Sequence, residues 1–300
     1  MQGISPKARR PANCQPPVVA HRAEQRRPRV IHATSSARTD FFANLSRLAR
    51  YRDLLYTLSL HRIRVRYKQT LLGISWAILQ PLSMMVLFTF IFSLIVKMPS
   101  EGTPYAVFSF TALLPWTFFS TSLSTGSNSL LSNSQLITKV YFPREILPLT
   151  YVIAALFDFM IASSVLFGLL FYYKIPLTMN CLYALLIIFI LALFVTAMAL
   201  FFSATQLRFR DIGIAMPLLL QIWMFATPVI YPLSAVPEWL RPFYSLNPTV
   251  STVESFRRAI LYGTAPDFKA LTIAAVISIC LLICAYIYFK RVEATMADII

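Results

Sequence analysis

RIRVRYKQT, at residues 62–70, opens the stretch that decides the fold, and Ile74–Val96 then follows without one charged residue. A helix of these 23 residues is long enough to cross a hydrocarbon core about 30 Å thick. Cations that precede a span tend to remain on the cytoplasmic side, and four of them lie here: Arg62, Arg64, Arg66 and Lys68. The first crossing is therefore predicted to run from inside to outside.

Composition assigns the chain to the membrane class. Of its 300 residues, 57% are hydrophobic and only 13% are charged, and seven glycines are too few for a turn-rich barrel. The net charge of +15 is also typical of nucleic-acid-binding proteins, but 15 of the 27 cations precede residue 70 and most others flank apolar spans. We interpret these cations as groups that orient the chain in the membrane and attract anionic lipid. The predicted fold is an all-α polytopic membrane protein.

Two segments precede the first span. Met1–Arg38 is rich in Arg, Pro, Ala and Ser, lacks an apolar core and is predicted to be a disordered basic tail, with a transit peptide as the alternative. Residues 39–72 are predicted to form a cytoplasmic interfacial amphipathic helix, Asp40–Ser59, and a basic connector. Arg62–Lys68 alternates like a strand, but we reject a strand because no second segment is present to pair with it.

Five further spans are predicted, and with the first they make six crossings that place both termini in the cytoplasm. Segments assigned to the inside hold 21 Lys and Arg residues, whereas those assigned to the outside hold six, which agrees with the positive-inside rule. The five spans are Tyr105–Leu123, Leu147–Tyr172, Cys181–Phe202, Ile212–Ile230 and Ala270–Phe289.

Two short cytoplasmic loops combine cations, an acid and aromatic residues. They read SNSQLITKVYFPREILP at Ser132–Pro148 and TQLRFRDIG at Thr205–Gly213. The simplest interpretation is that the cations of these loops only set the orientation of the chain in the membrane. The alternative is a docking surface for a soluble partner, since exposed aromatic residues beside Arg are typical interface anchors.

The connection Tyr231–Lys269 is too long for a plain loop between adjacent helices. It contains an amphipathic helix at the outer membrane surface, re-entrant or lying as a lid, in which Glu254 is predicted to pair with Arg257 or Arg258. The apolar stripe of this helix is Val250, Val253, Phe256 and Ile260.

Several kinds of chemistry are absent from the sequence. There is no G-x-x-x-x-G-K-[ST] phosphate loop, so the chain is not predicted to bind ATP by that motif. No cluster of His, Cys and carboxylate residues predicts a metal site, and the four cysteines are predicted to be buried, unligated thiols. Asp158 is the only charge deep in a predicted span, which leaves a structural or a functional acid open.

Four motifs together resemble the type-2 ABC exporter permeases, and most closely those that export bacterial O-antigen, capsule or teichoic-acid polymers. The resemblance covers about residues 45–295 and excludes Met1–Arg38. The motifs are PWTFFSTSL at Pro115–Leu123, KVYFPREILPL at Lys139–Leu149, RFRD at Arg208–Asp211, and PVIYPLS with LNP within Pro228–Pro248.

The resemblance implies a six-span transmembrane domain at residues 73–300, pairing of two permeases, and one separate ATPase subunit, with its ATP and Mg²⁺, docked on each. It further implies residence in the bacterial inner membrane and export of a lipid-linked polysaccharide. Exporters of drugs or small lipids remain the nearest alternative, ahead of secondary transporters.

The resemblance also implies that the loop around Ser134–Glu145 would couple to the ATPase, through Lys139, Tyr141, Phe142, Pro143, Arg144 and Glu145. A second contact would be formed by Arg208, Arg210 and Asp211.

A polysaccharide presents apolar C–H faces, so aromatic rings are candidates for lining its path. The alternative for any one ring is packing against lipid. The candidates are Trp76, Trp116, Phe118, Phe119, Trp223 and Tyr231 for the conduit, and Glu254, Phe256 and Arg257 for an external gate within Thr249–Leu261.

Overall fold

The structure, a computed structural model, describes residues 49–293 except 69 and 99–101, together with Met296. Every regular element in these residues is helical, which confirms the predicted all-helical class. The helices are α1 Arg52–Tyr67, α2 Trp76–Phe88, α3 Tyr105–Ser127, α4 Ser134–Lys139, α5 Ile146–Tyr172, α6 Tyr183–Arg208, α7 Asp211–Phe225, α8 Arg241–Ser245, α9 Pro248–Ile260 and α10 Phe268–Glu293. A 3₁₀ turn, Gly73–Ser75, precedes α2, and a π-helix, Thr89–Ile95, continues it. The predicted disorder of residues 1–38 and the start of the interfacial helix lie outside the described residues.

The alternating basic segment belongs to α1. Rejection of the strand interpretation is confirmed, and the helix, which was predicted to end at about Ser59, continues to Tyr67. The physical reason is the four-residue spacing of Arg62 and Arg66, which places both on one helix face, where they contact Tyr151 and Asp158 of α5. The helix ends where Lys68 takes an extended conformation.

Five helical segments are long and apolar enough to cross a membrane: Gly73–Ile95, Tyr105–Ser127, Ile146–Tyr172, Met179–Arg208 and Phe268–Glu293. They correspond to five of the predicted spans. The remaining predicted span, residues 212–230, is the 15-residue helix α7 followed by turns. A helix of that length extends only about 22 Å, short of the hydrocarbon core. The count of six crossings therefore stays a prediction.

Helix α3 forms the centre of the bundle. In its most apolar 18-residue stretch, 78% of the residues are buried. The corresponding share is 22% for α10 and 17% for the segment that contains α2. α5, α6 and α9 pack around α3, and their contact buries its aromatic residues Phe108, Phe110, Phe118 and Phe119. The other long helices present apolar side chains outward, as expected for surfaces in contact with lipid or another chain.

The two ends of the bundle are built differently. At one end, an apolar cluster joins the start of α5 to the ends of α6 and α10 through Phe142, Ile146, Leu207 and Phe289. We call it the charged end, because the two loops that combine cations, an acid and aromatic residues lie there. The other end, here called the α9 end, is held by polar contacts. Tyr105 Oη, at the start of α3, donates to the carbonyl of Ile230 at 2.6 Å. Asn180 Nδ2, between α5 and α6, donates to the carbonyl of Gly263 at 2.7 Å. Gly263 has φ +61°, and a Cβ there would lie 2.9 Å from Thr178.

The described cysteines are free but not buried. Cys280 and Cys284 are exposed on the outer face of α10, and Cys181 is partly exposed. The prediction of buried thiols is therefore wrong for these three, because α10 packs only one face against the bundle and its outer face is apolar surface.

Candidate functional site

The first candidate is the loop at residues 139–145, here called the first loop, which joins α4 to α5 at the charged end. Its two adjacent aromatic residues point in opposite directions. The Tyr141 side chain is 93% exposed, whereas Phe142 is only 5% exposed. Of the two rings, only that of Tyr141 is thus available to a partner, and that of Phe142 anchors the loop.

Burial of Phe142 explains how the first loop keeps its position. The ring belongs to the apolar cluster that also contains Leu130, Ile137, Phe289 and Val292. The sequence analysis treated both aromatic rings as docking anchors. The structure places Phe142 in the interior of this chain, so its ring is not exposed to a partner.

Charged residues of the first loop also bind the chain itself. The carboxylate of Glu145 is buried and accepts a hydrogen bond from Lys290 Nζ at 2.8 Å. Arg144 contacts Glu293, whereas Lys139 is exposed and Pro143 is partly exposed. Sequence reasoning missed Lys290 and Glu293, because it assigned the cations at the end of α10 to topology alone.

Residues 208–211, here called the second loop, run from the last residue of α6 to the first residue of α7 and are exposed at all four positions. Phe209 is 55% exposed, with the Arg208 guanidinium 5.7 Å from its ring centroid. No ion pair within the described residues involves Arg208, Arg210 or Asp211. Just before the loop, Gln206 Nε2 donates to Asn128 Oδ1 at 3.1 Å, which ties α6 to the end of α3.

Asp158, the predicted intramembrane acid, has two partners from α1. Arg66 forms an ion pair with one of its carboxylate oxygens, and the Tyr67 hydroxyl donates to the other. Burial and the hydrogen bond to Asp158 raise the pKa of the Tyr67 phenol, which therefore remains a donor at neutral pH. Such pairing lowers the cost of placing a carboxylate halfway along a membrane helix. The partners are more than 90 residues distant in sequence, so spacing alone did not reveal them.

A cavity of about 240 Å³ lies beside this ion pair. Its wall combines a charged pair with hydroxyl, amide and aromatic groups from α1, α2, α3 and α5. Two of the predicted conduit aromatics, Trp76 and Phe118, belong to it. Among its lining residues are Arg66, Asp158, Gln80 and Thr121.

The remaining conduit candidates pack mainly inside the chain. Trp116 and Phe119 are buried, and the Phe119 ring centroid lies 5.4 Å from Trp116 and 5.0 Å from Trp223. The indole N–H of the partly buried Trp223 lies 3.2 Å from Thr249 Oγ1. Tyr231, also partly buried, donates to the carbonyl of Phe225 at 2.7 Å. These rings form core contacts between α3, α7 and α9.

Helix α9, the predicted gate element, is buried on nearly all sides. All but two of its 13 residues are buried, among them Phe256, because the helix packs against α3, α6 and α10. It is therefore not a lid with an exposed polar face, and its position relative to the membrane stays a prediction. The predicted ion pair is confirmed, with Arg257 Nη1 3.1 Å from Glu254 Oε2. Arg257 also donates to the carbonyl of Pro228 at 3.0 Å, and its guanidinium lies 3.9 Å from the Phe108 ring centroid. One buried cation thus fastens α9 to α3 and to the turn after α7.

The family model for ABC-2 type transporters matches residues 53–261, a range that contains both loops, Asp158 and α9. The chain belongs to the ABC-2 type transporter family. The resemblance inferred from the four sequence motifs is thereby confirmed.

Named relatives match this ABC-2 type transporter over most of their length. The O-antigen export system permease protein RfbA of Myxococcus xanthus is 31% identical over 253 residues, which are 84% of this chain and 96% of the relative. RfbA of Klebsiella pneumoniae is 28% identical over 249 residues, 83% and 95% of the two chains. The polysialic acid transport protein KpsM of Escherichia coli is 26% identical over 250 residues, 80% and 94%.

The candidate residues of this ABC-2 type transporter that are exposed lie in two places, the charged end and the Asp158 cavity. Within the part of the chain that the structure describes, no group of three or more His, Cys, Asp or Glu side chains is placed to hold a metal ion. The first and second loops offer exposed aromatic and basic groups at the charged end. The Asp158 cavity offers polar and aromatic groups among the helices.

Proposed function

We propose that this ABC-2 type transporter is the permease subunit of an ATP-driven exporter that moves a lipid-linked polysaccharide across the bacterial inner membrane. The observation that carries the proposal is the match, over 94–96% of their own length, to O-antigen export permeases and a polysialic acid transport protein. A match of that extent leaves no large domain of the relatives without a counterpart here.

ATP hydrolysis is assigned to a separate ATPase subunit that binds ATP and Mg²⁺. The chain itself has no phosphate-loop motif. Tyr141 is a suitable anchor for such a subunit, because it is almost fully exposed on a loop whose neighbour Phe142 is fixed in the core. Exposed basic residues of the second loop would contribute mainly to the rate of encounter.

A second copy of the chain is proposed to complete the path. In the span that contains α2, only 17% of the residues in its most apolar stretch are buried, and α7 exposes Ile214, Leu218 and Ile222 along its length. α7 is also too short to cross the bilayer alone. Apolar faces of two copies placed together would supply the neighbours that these two helices lack within one chain.

The interior chemistry suits a neutral or weakly charged glycan. In the Asp158 cavity, Gln80 and Thr121 offer hydrogen bonds to sugar hydroxyls, while Trp76 and Phe118 offer faces to sugar C–H groups. Because the charges of Arg66 and Asp158 offset each other, the cavity carries little net charge to hold a polymer tightly. The charged end is proposed to face the cytoplasm, in keeping with the excess of cations in the segments assigned there.

The test is complementation in a bacterium that makes a lipid-linked polysaccharide but lacks its own export permease. This chain is expressed with or without the proposed phosphate-loop ATPase subunit, and surface polymer is measured by antibody labelling of intact cells. We expect surface polymer only when both proteins are present, and none when the Walker lysine of the ATPase is replaced. Drug efflux without surface polymer would contradict the assignment to polysaccharide.

A further inference from the structure

Four charged groups join the first loop to the end of α10. Lys290 Nζ lies 2.8 Å from Glu145 Oε2 and 2.7 Å from Glu293 Oε2. The backbone N–H of Arg144 donates to Glu293 Oε1 at 3.3 Å, and its guanidinium donates to the carbonyl of Glu293 at 3.1 Å. Two cations and two anions thus form a balanced network across two elements that are about 145 residues apart in sequence.

The network is largely withdrawn from water. The Glu145 side chain is 4% exposed, Lys290 18% and Glu293 21%. Ion pairs at this depth are sensitive to the loss of one partner, because the other charge is then left without compensation in a poorly solvated place. The geometry therefore fixes the first loop against α10 more firmly than exposed pairs do.

Orientation in the membrane does not require this arrangement. Arg291, the next residue, would serve topology equally well, yet it is exposed and enters no ion pair within the described residues. Its neighbours behave differently: Phe289 and Val292 pack with Phe142 in the apolar cluster of the charged end. The last turn of α10 therefore holds the loop by apolar contacts as well as by Lys290 and Glu293.

We infer that Lys290 and Glu293 are positioning residues, which hold the first loop in the shape that presents Tyr141 to the ATPase subunit. The inference rests on the proposed function. It makes the end of α10, which lies beyond the matched family range of residues 53–261, part of the docking structure. Because α10 is one continuous helix of 26 residues that also packs against α9, a displacement of the loop would reach the α9 end through a single rigid element.

A charge exchange across the network tests the inference. The variants are Lys290→Glu, Glu145→Lys and the two combined, each reconstituted in nanodiscs and titrated with the purified ATPase subunit. Either single change places like charges together, so we expect its affinity to fall at least about tenfold. In the double variant positions 145 and 290 again carry opposite charges, whereas positions 290 and 293 of α10 both carry acids. We therefore expect a partial recovery, to an affinity at least about threefold above that of either single variant. Arg291→Glu is the matched control: it makes the same charge change in the same turn and should bind normally.

A second comparison separates positioning from general stability. Glu293→Gln removes one charge from the network, while Phe110→Leu, buried in α3, weakens the core elsewhere. The two are compared by melting temperature, by hydrogen exchange of residues 139–145, and by ATPase affinity. We expect Glu293→Gln to speed exchange in the loop and to lose more affinity, per degree of lost melting temperature, than Phe110→Leu.

Any one of three results would overturn the inference but not the proposed function. The first two are unchanged affinity of Lys290→Glu, and failure of the folded double variant to recover affinity. The third is an equal loss of affinity, per degree of lost melting temperature, in Glu293→Gln and Phe110→Leu. Absence of binding by the wild-type chain, together with absence of polymer export in cells, would instead reject the proposed function. The two kinds of failure are therefore distinguishable.

Discussion

The first and second loops of the charged end have nearly the same composition but opposite relations to the rest of the chain. Each combines an acid and basic residues with at least one aromatic ring. In the first loop the acid Glu145 is buried and paired, and the ring of Phe142 lies in the core. In the second loop Asp211 is exposed and Phe209 is 55% exposed.

This difference separates rigid attachment from simple exposure. A loop transmits force to helices only if it cannot move independently of them, and the first loop meets that condition through Phe142 and Lys290. The second loop continues directly from α6 into α7, and no ion pair within the described residues ties it to another element. We therefore expect the first loop to carry mechanical coupling and the second to contribute to recognition.

The largest expected effect concerns sidedness, because both loops must lie on the same side of the membrane. Single cysteines placed at Gln135 and Arg210 should be protected from an impermeant maleimide in intact cells, whereas one at Ser234 should be labelled. The background is a variant in which the native cysteines are replaced by serine. Labelling at Gln135 with protection at Ser234 would reverse the topology and remove the docking role from both loops.

Truncation of the two phenylalanines should distinguish the loops by stability. Phe142→Ala leaves a cavity in a packed cluster, so we expect a loss of about 3–5 kcal/mol in the free energy of unfolding. Phe209→Ala removes an exposed ring and should change it by less than about 0.5 kcal/mol. Denaturant unfolding in detergent measures both. Equal losses would contradict the assignment of Phe142 to the core and Phe209 to the surface.

Removal of the exposed ring of the first loop should affect binding and not folding. Tyr141→Ala is expected to weaken ATPase binding by about 2 kcal/mol, close to 30-fold, because an interface anchor is lost. Phe209→Ala, the matched control, should weaken it by less. Titration of nanodisc-embedded permease gives both affinities, and melting curves confirm folding. If Phe209→Ala costs more affinity than Tyr141→Ala, the second loop is the principal docking element.

The smallest expected effect is electrostatic. Arg210→Gln removes an exposed charge from the second loop, so we expect the association rate with the ATPase to fall about two- to fivefold at low salt. The difference should disappear at high salt, and the dissociation rate should stay the same. Stopped-flow association at two ionic strengths measures this. A change in the dissociation rate would mean that Arg210 is buried in the complex.

The sequence predicted the elements of the fold better than the contacts of the candidate site. Long uncharged runs such as residues 74–96 define membrane helices locally, because the bilayer thickness sets their length. The pairing of Glu145 with Lys290 depends on tertiary packing between distant residues. The same holds for Asp158 with Arg66, which hydropathy presented as an isolated acid. Burial of Phe142 beside an exposed Tyr141 depends on backbone geometry that composition does not encode.

Placement of α9 was missed for a related reason. Its sequence, PTVSTVESFRRAI, has the polar face of a surface helix, and sequence reasoning correctly found its helix and the Glu254–Arg257 pair. The structure buries that polar face, because Arg257 donates to backbone carbonyls of Pro228 and Val229, and small hydroxyl side chains allow close packing. Amphipathicity predicts that a helix has two faces, but not which neighbours cover the polar one.

The most direct test of the account is site-specific photocrosslinking in cells that export polymer. A photoreactive phenylalanine analogue is placed at position 141 in one strain and at position 209 in another, with the ATPase subunit tagged. The account predicts a strong permease–ATPase adduct from position 141 and a weaker one from position 209. Export that continues without any adduct from position 141, or an adduct from position 209 alone, would contradict the claim that the first loop couples this chain to its ATPase.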